Sequence, residues 1–311
     1  MSALPAEPPR LGPSRRYIDL ALLGRTDARS GFKGLAWILI HGIAGFVFGL
    51  VASGIVLVAA ARLFFSNTPP MGSYTPAAMF CAQFCATLGF LKGAQYAAVR
   101  SQHRPFWSLI GPVPGFQVRR VIVGLATALI AEILVVETTN ALIDPASGDF
   151  LDWVVRPSSA TDWEWMLASI LVIPIQAGGE ELFFRGWLTQ SLGQAVRSRF
   201  ALALIVALLF ALSHGISRDL LALPFYMLMS LGFSALSLGD GRLELAIGAH
   251  IAHNWLAAAG TSPRDDYASL PGKAEFTLEP MDLAGVGLQM VLICSFAELL
   301  RRKGWLRPSA G

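Results

Sequence analysis

"QAGGEELFFRGWL", Gln176 to Leu188, places two adjacent glutamates and an arginine inside an otherwise apolar stretch. Carboxylates are costly at membrane depth, so an ionisable residue there marks a functional site by default. On a helix, Glu181 and Arg185 stand four apart and share a face, where they can pair. Glu180 lies about 100° away and has no partner within its own helix. The pattern divides the labour: Glu181 and Arg185 neutralise each other and support the site, while Glu180 faces a cavity. Gly178 and Gly179 are expected to let a neighbouring backbone approach, and Pro174 to loosen the helix just before them.

The rest of the chain supplies the membrane. Of 311 residues, 54% are hydrophobic and 14% charged, and the mean hydropathy is +0.55. A soluble domain carries about 25% charge, so this composition cannot solvate a globular surface and points to an integral membrane protein. The sequence predicts an all-α polytopic fold of about eight transmembrane helices around a polar catalytic cavity. They fall near 37–64, 77–99, 119–142, 164–191, 199–215, 219–238, 243–260 and 281–301. The absence of a visible internal repeat weighs against an inverted-repeat transporter. The lipid bilayer is the expected surrounding, and no nucleic-acid signature is present. Cys81, Cys85 and Cys294 cannot build a disulfide framework and read as small hydrophobes.

Lysine and arginine orient the spans. With the N-terminus in the cytoplasm, cytoplasmic segments carry 17 basic residues and the opposite side 5, namely Arg62, Arg156, Arg218, Arg264 and Lys273. Both termini are therefore expected inside. The compartment would be the plasma (inner) membrane of a prokaryote or the endoplasmic reticulum of a eukaryote. Residues 1–36 read as a cytoplasmic basic tail, partly disordered, and 37–163 as accessory helices 1–3 with an outer loop. Residues 164–260 read as the catalytic core. Residues 261–311 read as an outer loop, the eighth span and a basic tail. The aspartates of the third loop, Asp144, Asp149, Asp152 and Asp162, read as a solvated surface.

Two more spans carry polar groups. "FALSH" ends the fifth with Phe210 and His214, and "HIAHN" places His250, His253 and Asn254 in the seventh. One glutamate, two histidines and an asparagine from three spans make a general base with hydrogen-bond donors. That set can add water to a carbonyl. Ser213 adjoins His214, but neighbouring helical positions point apart.

In order, "EELFFR", "FALSH" and "HIAHN" resemble the EExxxR, FxxxH and HxxxN/D series of the CPBP (Abi) family. These are intramembrane proteases similar to CAAX prenyl endopeptidases and bacteriocin-processing proteases. The resemblance covers about 165–260. It implies that Glu180 activates water with His214 beside it, that His250 and Asn254 stabilise the oxyanion, and that Glu181 and Arg185 support the site. It implies a membrane-associated peptide or protein substrate, a CAAX-like lipidated one included. A glutamate-activated water needs no cofactor. The alternative is a zinc ion on Glu180, His214 and His250. A different class of reading is a non-catalytic protein, either a proton-coupled transporter or a scaffold.

Overall fold

The computed structural model describes residues 13–25, 27–64, 75–143, 160–214, 220–260, 278 and 280–306, all helical or connecting. A short helix α1 (Pro13–Asp19) leads into a 3₁₀ turn (Leu20–Leu23). Eight longer helices follow: α2 (Ala28–Phe64), α3 (Thr75–Tyr96), α4 (Val118–Ile143), α5 (Ala160–Glu181), α6 (Arg199–Ser213), α7 (Ala222–Asp240), α8 (Glu244–Gly260) and α9 (Pro280–Arg302). They fall on the eight predicted apolar stretches. Four of them, α2, α4, α7 and α9, are long and apolar enough to cross a membrane by length and composition. The aspartates of the third loop before 160 lie outside the described residues, as do the N-terminal residues up to 12.

Two helix pairs set the frame through close backbone approach. In α2 and α3, a Cβ on Gly45 would lie 2.2 Å from the Cys85 carbonyl oxygen. In α4 and α8, a Cβ on Gly248 would lie 2.0 Å from the Val121 oxygen. Any side chain at either position would force the pair apart. Of the two glycines before the glutamates, only Gly179 is crowded, and by the Thr87 methyl of α3 rather than a backbone; Gly178 faces open space.

The helix that carries the glutamates passes through Pro174 and then changes pitch. Leu182–Leu188 is a π-helix, followed by one α turn at Thr189–Leu192. The wider turn loosens the regular ladder, and side chains take up its carbonyls. Thr189 Oγ1 donates to the Phe184 oxygen at 2.8 Å. The Tyr17 hydroxyl lies 3.1 Å from the Arg185 oxygen and 3.0 Å from the Leu109 oxygen. Tyr17 is fully buried, so the middle of the expected basic tail, residues 1–36, is a docked part of the bundle, and its last nine residues belong to α2.

Basic residues gather at this same end, where they stitch loops rather than float. Arg242 donates to the Val113 and Gly115 oxygens at 3.0 and 2.7 Å and pairs with Glu244. Arg120 bonds Asp240 and the Leu306 oxygen. Arg104 bonds Gln190, whose amide donates to the Ser108 oxygen at 2.8 Å. Burial lowers the Arg104 pKa to about 10, leaving it charged at neutral pH. The loop between α3 and α4 is thus tied to α5 and α8, and the site lies just beneath.

Candidate active site

Glu181 and Arg185 form the ion pair expected from their spacing, at 2.8 Å, and both side chains are wholly buried. The guanidinium has further partners. Its Nη2 donates to Ser230 Oγ at 2.6 Å and lies near the Ser230 oxygen at 3.2 Å. It also sits 4.6 Å from the Phe210 ring centroid, close enough for a cation–π contact. A buried charge needs this density of partners, because desolvation otherwise outweighs the pair's attraction.

His250 joins the two glutamates. Its Nδ1 lies 2.9 Å from Glu181 Oε1, and its Nε2 lies 3.7 Å from Glu180 Oε2. Because the ionised carboxylate can only accept, Nδ1 carries the proton toward Glu181. That leaves Nε2 aimed at Glu180, with a separation too long for a direct hydrogen bond. Phe233 stacks on the imidazole at 4.8 Å and Phe210 meets it edge-on at 6.1 Å, so its orientation is fixed by packing as well as by the bond.

Glu180 behaves differently from its neighbour. Its side chain keeps 23% exposure and opens on a cavity of about 500 Å³. Gln176, one turn earlier, donates to Glu180 Oε1 at 3.2 Å. His214 and Ser213 line the same cavity from the end of α6. His214 Nδ1 is 2.9 Å from the Phe210 oxygen, and its ring stacks on Tyr226 at 4.2 Å. Ser213 Oγ is turned back onto the Phe210 oxygen at 2.7 Å. The Phe210 ring contacts both histidines, His214 at 4.6 Å and His250 at 6.1 Å between centroids.

The structure therefore gathers Glu180, Glu181, Arg185 and His250 and brings His214 to the same cavity. Asn254 stands one turn after His250 on α8, half-buried, and its side chain makes no hydrogen bond to another described residue. The sequence reading missed Gln176, Tyr226, and the wall that α2 and α3 contribute. Leu39 and Phe90 make that wall apolar, while Gln83 and Thr87 place polar groups across from Glu180. Only the i, i+4 spacing of Gln176 and Glu180 was a usable signal.

A second polar cluster lies on another face of α8. His253 Nδ1 is 3.5 Å from Glu132 Oε1 of α4, and Gln289 of α9 donates to Glu132 Oε2 at 2.7 Å.

The family resemblance raised a zinc ion on Glu180, His214 and His250. Among the described residues, no three His, Cys, Asp or Glu side chains come together as a metal site. The donor set does not fit the ion.

Residues 162–256 match the family described as type II CAAX prenyl endopeptidase Rce1-like. The uncharacterized protein YyaK of Bacillus subtilis (strain 168) is 29% identical over 175 residues, 54% of this chain and 56% of that protein. The chain thus spans about half the length of the curated relative it matches. No solved structure matches it. The matched region contains all six of the residues singled out for the site, and residues 162–256 are a region similar to the Rce1-like type II CAAX prenyl endopeptidase domain of the CPBP (Abi) family.

Proposed function

We propose that the protein is an intramembrane endopeptidase that uses Glu180 as general base. One observation carries the reading: of two adjacent glutamates, Glu181 is sealed in an ion pair and Glu180 opens on a cavity that also holds His214. Water in that cavity, between Glu180 and the scissile carbonyl, loses its proton to the carboxylate as its oxygen attacks the carbonyl carbon. Counting both glutamates as carboxylates and Arg185 as a cation leaves one negative charge, which the captured proton cancels. The same proton then goes to the leaving amine as the carbon–nitrogen bond breaks.

His214 stands beside the attacking water: its Nδ1–H is given to the Phe210 carbonyl, so Nε2 of the neutral ring is left as an acceptor that can hold the water's second proton. His250 acts on Glu180 from behind, and Asn254 belongs to the oxyanion site in this reading. The apolar wall of Leu39, Phe90, Phe183 and Phe184 suits a substrate held at the membrane, a lipidated peptide included. The eight helices would all span the bilayer, with both termini on the basic side.

The test is cleavage of a quenched, lipidated peptide library by purified wild-type and Glu180→Gln protein, with and without chelator. Cleavage that is lost in the variant and insensitive to chelator supports the reading. Equal cleavage by both proteins removes Glu180 from catalysis.

A second reading, proton transfer through the membrane, draws on the Glu132–His253 pair. A relay needs the two clusters joined along a path. Among the described residues no hydrogen bond joins them.

A further inference from the structure

The basic end of the bundle holds a second cavity, far from the matched region in sequence. It measures about 610 Å³ and lies between the start of α2 and the end of α3. Arg25, Arg29, Lys33, Arg100 and His103 line it together with Trp37. The carboxylate in the lining, Asp27, is already committed: its Oδ1 accepts the Ser30 N–H at 2.8 Å and caps α2. None of Arg25, Arg29, Lys33 and Arg100 makes a salt bridge among the described residues, in contrast to Arg120, which pairs with Asp240, and Arg242, which pairs with Glu244. The two sides of the cavity are fixed to each other, because the Arg25 N–H donates to the Gln102 oxygen at 2.7 Å.

The cavity has a direction. Arg29, Lys33 and Trp37 follow at four-residue steps along one face of α2, so two cations lead to an indole one turn deeper. Trp37 packs against Tyr96 and His41 at 5.5 and 5.4 Å, the aromatic grouping expected where hydrocarbon meets headgroups. Beside it the helices show bare apolar surface: Phe32 is 74% exposed, Ile40 56% and Ile43 63%. A ligand that satisfies both parts carries an anion at one end and an acyl chain at the other.

We propose that this cavity binds the headgroup of an anionic phospholipid in the leaflet at the basic end of the bundle, its chains lying along α2. A soluble phosphate would use the cations and leave the apolar flank idle. The proposal depends on the chain sitting in a bilayer, not on the proteolytic reading.

The experiment is native mass spectrometry of the full chain from mixed micelles with equimolar phosphatidylglycerol and phosphatidylcholine. Wild type should retain phosphatidylglycerol in preference. Each cation near the surface contributes about a factor of five, so R29Q/K33Q/R100Q should lose on the order of a hundredfold in that preference. The charge-matched R119Q/R197Q/K303Q, whose side chains lie elsewhere at the same end, should keep it. E180Q should also keep it, which separates this result from the fate of the protease reading. If the triple variant fails to fold, K33Q alone should lose about fivefold. Equal losses in both triple variants, no preference in wild type, or displacement of the lipid by inorganic phosphate at equal concentration would each overturn the proposal.

Discussion

His250 and His253 stand three residues apart on α8 and each meets a glutamate, yet the two clusters are built differently. His250 is 2% exposed, held at 2.9 Å by a carboxylate that a buried guanidinium neutralises, and stacked on Phe233. His253 keeps 13% exposure and lies 3.5 Å from Glu132, a distance at the edge of a hydrogen bond. Glu132 has an amide for company, not a cation. The first cluster is charge-compensated and immobilised, a fixed backing for Glu180 beside it. The second is polar glue between α4, α8 and α9, of the kind that contributes modestly between membrane helices.

The contrast can be broken by substitution, beginning with the largest effect. Glu180→Gln keeps the shape and removes the base, so turnover should fall by about 10²–10⁴ with the unfolding midpoint unchanged. A variant as active as wild type would leave both clusters structural. Next, Arg185→Met strands Glu181 as an uncompensated buried charge and should cost about 3–5 kcal/mol, read by denaturant unfolding of the purified protein. Adding Glu181→Gln to it should recover part of that loss; if it recovers none, the guanidinium matters through Ser230 and Phe210 instead.

A third substitution asks what really holds α4 to α8. Gly248→Ala pushes a methyl into the Val121 carbonyl and should cost about 1–3 kcal/mol by overpacking. Glu132→Gln should cost less than about 1 kcal/mol and leave turnover at the wild-type level, since its partner is a loose and partly exposed histidine. Loss of turnover in Glu132→Gln comparable with that in Glu180→Gln would join the two clusters in function and favour proton transfer.

Local spacing made part of this legible. The i, i+4 relation of Glu181 and Arg185 forecast their ion pair, and hydropathy located all eight long helices, though α2 begins nine residues before the predicted span and α5 gives way to the π-helix ten residues before its predicted end. The same helical geometry set Glu180 apart from Arg185, but the expectation that it has no partner in its own helix is corrected by Gln176, which donates to it at 3.2 Å. What depended on distant chain was not legible. No pattern in α8 shows that His250 Nδ1 will settle on Glu181, 69 residues earlier, or that Phe210 will contact both histidines. Glu132 sits in an apolar stretch whose partner is a glutamine 157 residues on. The π-helix left no mark in the hydropathy pattern; of its carbonyls, that of Phe184 is taken up locally by Thr189 and that of Arg185 by Tyr17, 168 residues earlier. The tail of basic residues gave no hint that a tyrosine in it would be buried.

That tyrosine sets an order of assembly. Tyr17 leaves the ribosome early, while the carbonyl it bonds belongs to Arg185, 168 residues later. Until α5 has emerged and seated its ion pair, the hydroxyl has no carbonyl of that turn to bind and α1 has no finished surface to dock on. The first of the described helices therefore closes only after α5 is in place, over the backbone of the turn that holds the arginine. Completion of the reactive centre and capture of the N-terminal helix become one event, so a half-made chain exposes an unlatched helix and no finished site.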